Sequence, residues 1–166
     1  MNPPAVAEFV TLGETMGVLS ADEIGPLRNG HRMVLGVAGA ESNVAIGMSR
    51  LGHRAAWVGR VGSDSIGRLA LRELTAEGVD IAHAIVDPSA PTGLMLKTRR
   101  TTATAQVSYL RRGSAGSHLA PDDVPAALVS AARVLHVTGI TAALSPTARA
   151  AVFRAIDIAK SADVAV

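Results

Sequence analysis

The chain has 166 residues, 48% of apolar type, 18% charged and 2% aromatic, with a formal charge of +2 and no cysteine. That length suits one domain or part of one, and a folded chain of this size buries roughly two thirds of its unfolded surface. The composition excludes general disorder, and the missing cysteines exclude a disulfide framework, a thiolate metal site and a cysteine nucleophile.

No unbroken apolar run approaches the ~20 residues of a membrane-spanning helix. Met1 to Glu8 lacks the basic-then-apolar order of a secretory signal, so a cytoplasmic protein with no membrane partner is expected. Arginines are scattered, with Arg99-Arg100 and Arg111-Arg112 as the only doublets, and few rings could stack on bases. Nucleic acid is therefore not an expected partner.

In chain order, Phe9 to Leu12 reads as a strand running into Gly13. A turn-rich stretch follows, and Met33 to Leu35 is a second strand. Val44, Ala45, Ile46, Met48 and Leu51 fit one broad face of a helix closed by Gly52. Ala55 to Val58 reads as a buried strand. Asp64 is a predicted N-cap for a helix carrying Ile66, Leu69, Ala70 and Leu74 and ended by Gly78.

From Thr92 the period changes to two, giving a half-exposed hairpin of two strands that stands apart as a small β element. A helical period returns at Pro121, with Val124, Leu128 and Ala131 on one side. Val134 to Val137 reads as another buried strand. Ser145-Pro146 opens a helix whose predicted inner face is Val152, Phe153, Ile156 and Ala159. Ala162 to Val166 looks like the opening of a further strand, so the sequence is expected to end before the fold does. Alternating strands and helices indicate an α/β class with a mostly parallel sheet.

Three stretches could carry chemistry. Gly36 to Asn43 joins a strand to a helix, where glycine admits close approach, the helix start offers unpaired amides, and Asn43 suits a sugar hydroxyl. The competing reading is an ordinary strand–helix loop; it is not a phosphate loop, since no lysine and hydroxyl follow the glycines. Gly59 to Gly67 reads as a tight turn with a cap at Asp64. Glu14, just after a strand end, lies where open α/β sheets place ligands, although a solvated turn carboxylate is the alternative.

Tyr109 and Arg111, two residues apart, project to one face. Arginine offers a planar fork for a carboxylate; the competing reading is an amphipathic strand with a snorkelling arginine. The five histidines show no metal-ligand spacing, and His136 reads as a core histidine with a satisfied ring.

Taken together, Ala38 to Ala45, Leu51-Gly52 and Val58 to Gly67 resemble the N-terminal signature of the ribokinase-like (PfkB) sugar kinases. Within that superfamily, Ala40-Glu41, Tyr109 to Ser117, His136 to Thr141 and Ala143 to Pro146 resemble 2-keto-3-deoxygluconate kinases. One departure is Ala38, where many relatives have glycine.

The resemblance implies a ribokinase-like three-layer α/β sandwich, truncated, with residues 93–112 as a β-hairpin lid. Residues 1–166 would form the N-terminal portion of one kinase domain whose nucleotide-binding half is absent. It implies ATP-dependent phosphorylation of the terminal hydroxyl of a keto-deoxy sugar acid. Gly39, Ala40, Asn43, Tyr109 and Arg111, with Glu14 more weakly, would line the sugar site. ATP and Mg2+ would belong to the full-length protein, no residue here would be the catalytic base, and homo-oligomers could form through the lid. The alternatives are a non-catalytic sugar-acid-binding or dimerisation module, or a kinase for fructose, ribose or a nucleoside.

Overall fold

The computed structural model describes residues 7–99, 101 and 104–166; the predicted lid's Arg100, Thr102 and Ala103, and most of the N-terminal segment read for a signal, lie outside them. The elements are β1 (Phe9–Leu12), β2 (Met16–Ile24), β3 (Met33–Ala38), α1 (Ala40–Arg50), β4 (Ala55–Val58), β5 (Arg60–Gly62) and α2 (Ser65–Ala76). They continue as β6 (Ile85–Asp87), β7 (Leu94–Arg99), β8 (Ala105–Leu110), α3 (Ala126–Ala131), β9 (Val134–His136), α4 (Gly139–Ala142) and α5 (Pro146–Ser161).

Three parallel strands in the order β4-β1-β9 form the central sheet. Successive side chains alternate between its faces, and the burial follows. Phe9, Ala55 and Trp57 pack with Ala45 of α1 and Ala70 and Leu74 of α2. Val10, Leu12, Ala56, Val58 and Leu135 pack on the other face with Val129 of α3 and Ala148, Ala151, Val152, Ala155 and Ala159 of α5. The result is a sandwich of helix, sheet and helix, as alternating strands and helices predict. The C-terminal residues read as a strand opening do lie beside β9: Val134 bridges Ala165 in parallel, and Leu135 N–H donates to the Ala165 carbonyl at 2.8 Å.

The second sheet departs from the sequence expectation. The hairpin of β7 and β8 does not stand apart, because β7 pairs in parallel with β2, which pairs antiparallel with β3. Met16 to Ile24, read as turn-rich, is therefore a nine-residue strand in the order β3-β2-β7-β8. Its Gly17, Ser20 and Asp22 hide the strand in a propensity reading, while the pairing partners on both sides satisfy its backbone.

Other differences are local. α1 starts at Ala40 and ends at Arg50, and Leu51 is its exposed C-cap rather than part of the inner face, with Gly52 taking the turn at φ +89°. The Pro121 segment is a single 3-10 turn before α3, and Ala131 is exposed. On α5 the inner face is built from alanines and Val152, while Phe153 points outward beneath the Arg149 guanidinium. The Ser145 cap holds: its Oγ accepts from Ala148 N–H at 3.0 Å, with Pro146 opening the helix. His136 has its partner, Thr11 Oγ1 at 3.0 Å.

Candidate functional site

The link between β1 and β2 is three residues long, Gly13-Glu14-Thr15, and it carries the site. The start of α1 packs directly on it. A Cβ at Gly39 would lie 2.3 Å from the Glu14 carbonyl oxygen, so glycine there is required by the protein's own backbone. Gly39 also provides no side-chain cap, which leaves first-turn amides of α1 without a side-chain acceptor.

All six residues predicted from the sequence are brought together. Glu14, Gly39, Ala40, Asn43, Tyr109 and Arg111 line one cavity of about 220 Å3 between the two sheets, joined by Met16, Ala38, Glu41, Met95 and Ile140. Tyr109 is exposed, and the Arg111 guanidinium lies 5.6 Å from its ring centroid. A shallower groove shares Tyr109, Arg111 and Ile140 and extends toward Ala143 and Leu144.

Glu14 is not the solvated turn carboxylate that its loop position allowed. It is buried to 2% exposure, where its Oε2 pairs with Arg111 Nη2 at 2.5 Å and its Oε1 accepts from Ser114 Oγ. Burial pushes its pKa above the ordinary carboxylate value, against the pull of Ser114 and Arg111. Arg111 sits just past the end of β8, and its Nε is buried without a hydrogen-bond partner.

Glu41 lines the same cavity and was legible only as part of a family signature, not as a buried group. It accepts hydrogen bonds from Thr138 Oγ1 and, at 2.5 Å, from Thr141 Oγ1. Thr138 in turn caps α4, accepting from Ile140 N–H at 3.1 Å. The carboxylate thereby ties the start of α1 to the loop after β9. Met16 and Met95 gave no sequence signal, being apolar residues on strands like many others.

The Gly59–Gly67 stretch has the structural role its turn chemistry suggests. Asp64 caps α2 through Gly67 N–H and also accepts from Thr92 N–H and Oγ1, all between 2.8 and 2.9 Å. Burial opposes its charge, but these hydrogen bonds outweigh it and hold the pKa below the usual value. The root of β7 is thus pinned to α2. Nearby, Arg60 makes a two-point contact with Asp123 at 2.7 Å and reaches Asp87 at 3.4 Å.

No group of three His, Cys, Asp or Glu among the described residues could hold a metal ion. Glu14 and Glu41 are committed to the partners above, and the Gly36–Gly39 stretch lacks the lysine and hydroxyl of a phosphate loop. The carboxylates at this cavity are therefore taken up by protein partners.

A mixed α/β fold with ligand-sized space at the carboxyl ends of a parallel sheet is the layout in which open α/β proteins bind small ligands. The model of the pfkB family carbohydrate kinases matches residues 6–166, and the chain belongs to that family. A 2-dehydro-3-deoxygluconokinase of Thermoproteus tenax is 42% identical over 94% of this chain and 49% of its own length. One of Bacillus subtilis is 44% identical over 83% of the chain and 43% of its own length. The crystal structure of a PfkB protein from Polaromonas sp. JS666 superposes with a TM-score of 0.91 at 39% identity, covering 96% of this chain and 54% of that one. The chain spans about half the length of the curated relatives it matches.

Proposed function

We propose that this chain is the sugar-binding half of a carbohydrate kinase that phosphorylates the terminal hydroxyl of a keto-deoxy sugar acid such as 2-keto-3-deoxygluconate. One observation carries the reading: the buried, unpartnered Nε of Arg111 at a cavity also lined by Asn43 and the start of α1. A guanidinium donor left without an acceptor costs free energy unless a ligand oxygen meets it, and a carboxylate is its best geometric match. Asn43 and the amides at the start of α1 suit the hydroxyls of the same small molecule. The family names of the two relatives point to the same substrate class.

ATP with Mg2+ would supply the phosphoryl group and neutralise its charge when bound to the complementary half. This chain's own residues bind and orient the sugar, and the four-stranded sheet, with β7 and β8 at its edge as the lid, excludes water over it. Exposed Val34, Leu35, Val107 and Leu110 on that sheet support self-association through it. A cytoplasmic site of action goes with the same reading.

Titration calorimetry of the 166-residue chain with 2-keto-3-deoxygluconate and with fructose tests the binding claim. The acid is expected to bind at least tenfold more tightly. Phosphorylation is expected only when a C-terminal half is supplied. Heat with neither ligand overturns the reading; equal affinity for both moves it to a neutral-sugar kinase.

A further inference from the structure

We propose that Glu14 is a positioning residue: by holding one edge of the Arg111 guanidinium it aims the rest at the ligand, and so sets the preference for an anionic over a neutral sugar. This rests on the sugar-acid reading above and assigns Glu14 a role through Arg111 rather than direct contact with substrate.

Arg111 follows an exposed strand that supplies its guanidinium with no anionic partner. Every residue of β8 is exposed, and the strand offers the guanidinium one contact, the face of the exposed Tyr109 ring 5.6 Å away, which gives it no hydrogen-bond acceptor. Glu14 comes instead from the end of β1, whose four residues are all buried in the central sheet. The ion pair at 2.5 Å therefore references the guanidinium to the rigid sheet and not to the exposed hairpin.

Glu14 is itself fixed on three sides. Ser114 Oγ donates to Oε1. A Cβ at Gly116 would lie 2.4 Å from Glu14 Cγ, and one at Gly93 would lie 2.8 Å from Oε1. Both glycines leave room for this one side chain, one at the root of β7 and one in the loop after Arg111. Its freedom is spent before any ligand arrives.

The division of the guanidinium follows from its donors. A planar fork has five N–H groups. Glu14 Oε2 forms an ion pair with Nη2, while Nε is buried with no hydrogen-bond partner, and both residues line the same cavity. A buried ion pair is weak evidence for stability, since apolar pairs of similar volume often serve as well. What an apolar residue could not do is fix the plane of the fork.

The test is a double-mutant cycle of Glu14→Gln and Arg111→Lys on the 166-residue chain, read as the ratio of dissociation constants for 2-keto-3-deoxygluconate and fructose. Glu14→Gln keeps the shape and is expected to lower the acid preference about tenfold, with the fructose constant moving less than twofold. In the Arg111→Lys background the same change is expected to move the ratio less than twofold, because the group it orients is gone. Ser114→Ala, which removes one tether and leaves the carboxylate, is expected to lower the ratio about threefold and serves if Glu14→Gln does not fold.

Equal loss for both ligands, or the same loss with and without Arg111, would reduce Glu14 to a structural residue and overturn the inference. An unchanged ratio in both Glu14→Gln and Ser114→Ala overturns it as well, while leaving the sugar-acid reading intact if Arg111→Lys still abolishes the preference. Absence of acid binding by the unmodified chain instead fails the functional reading.

Discussion

The three-stranded and the four-stranded sheet of this protein are built on opposite terms. In the central sheet, β1 and β4 are buried at every residue, and both faces are covered by helices. In the four-stranded sheet, β8 is exposed at every residue and Val34, Leu35, Tyr109 and Leu110 face solvent. The first buries apolar area and carries stability. The second has little to lose by moving, and it holds Tyr109 and ends at Arg111, the groups proposed to meet the ligand. Besides apolar packing of Val37 against the core beneath α1 and α2, polar contacts join the two layers: Glu14 with Arg111 and Ser114, and Asp64 with Thr92.

That contrast can be broken by substitution. Trp57→Ala, at a side chain with no exposed surface, is expected to cost about 4 kcal/mol in chemical denaturation. Leu135→Ala in β9 is expected to cost about 3 kcal/mol. Gly116→Ala strikes the joint between the sheets, since the new Cβ would lie 2.4 Å from Glu14 Cγ. It is expected to cost about 2 kcal/mol and to weaken acid binding as well. Val107→Thr on the exposed strand is expected to stay within about 0.5 kcal/mol of the parent. A large loss at Val107, or a small one at Trp57, would erase the distinction between the sheets.

Acid sharpens the same comparison. Hydrogen bonds from the Ser89 hydroxyl and amide, with help from His118, hold the Asp87 carboxyl well below its usual pKa. A lowered folded-state pKa gives stability that is full above the unfolded value and lost as pH falls toward the folded one. Asp64 adds to the loss in the same direction. Stability is therefore expected to decline below about pH 4, and Asp87→Asn to flatten that decline. Glu14 has the opposite sign: its raised pKa means a contribution that is full at low pH and disappears as pH rises through the folded value. Glu14→Gln is expected to gain on the parent as pH rises through that range, measured by thermal melting across pH.

Much of this was readable from residue order. The strands at Phe9, Ala55 and Val134 announce themselves as short apolar runs bounded by turn residues, and the helix at Pro146 by its cap and proline. These signals are local, because they depend on side-chain burial period and on capping groups adjacent in the chain. The six cavity residues are also legible in the sequence, Glu14, Gly39, Asn43, Tyr109 and Arg111 by residue type, position or spacing and Ala40 through the family pattern alone. Their gathering in one place was not derivable from spacing.

Other features depended on the folded chain. β2 is a strand because β3 and β7 satisfy its backbone from either side, and β7 comes from far along the chain, after α1, α2 and three further strands. Phe153 looked like core by its period, yet small alanines at Ala148, Ala151 and Ala155 bring α5 close to the sheet and leave the ring outside. Glu14 looked solvated by its place after a strand end. Its burial, and its pairing with an arginine almost a hundred residues later, exist only because tertiary packing closes the cavity around them. Sequence determines which segments bury a face; long-range packing decides which charges must then find each other.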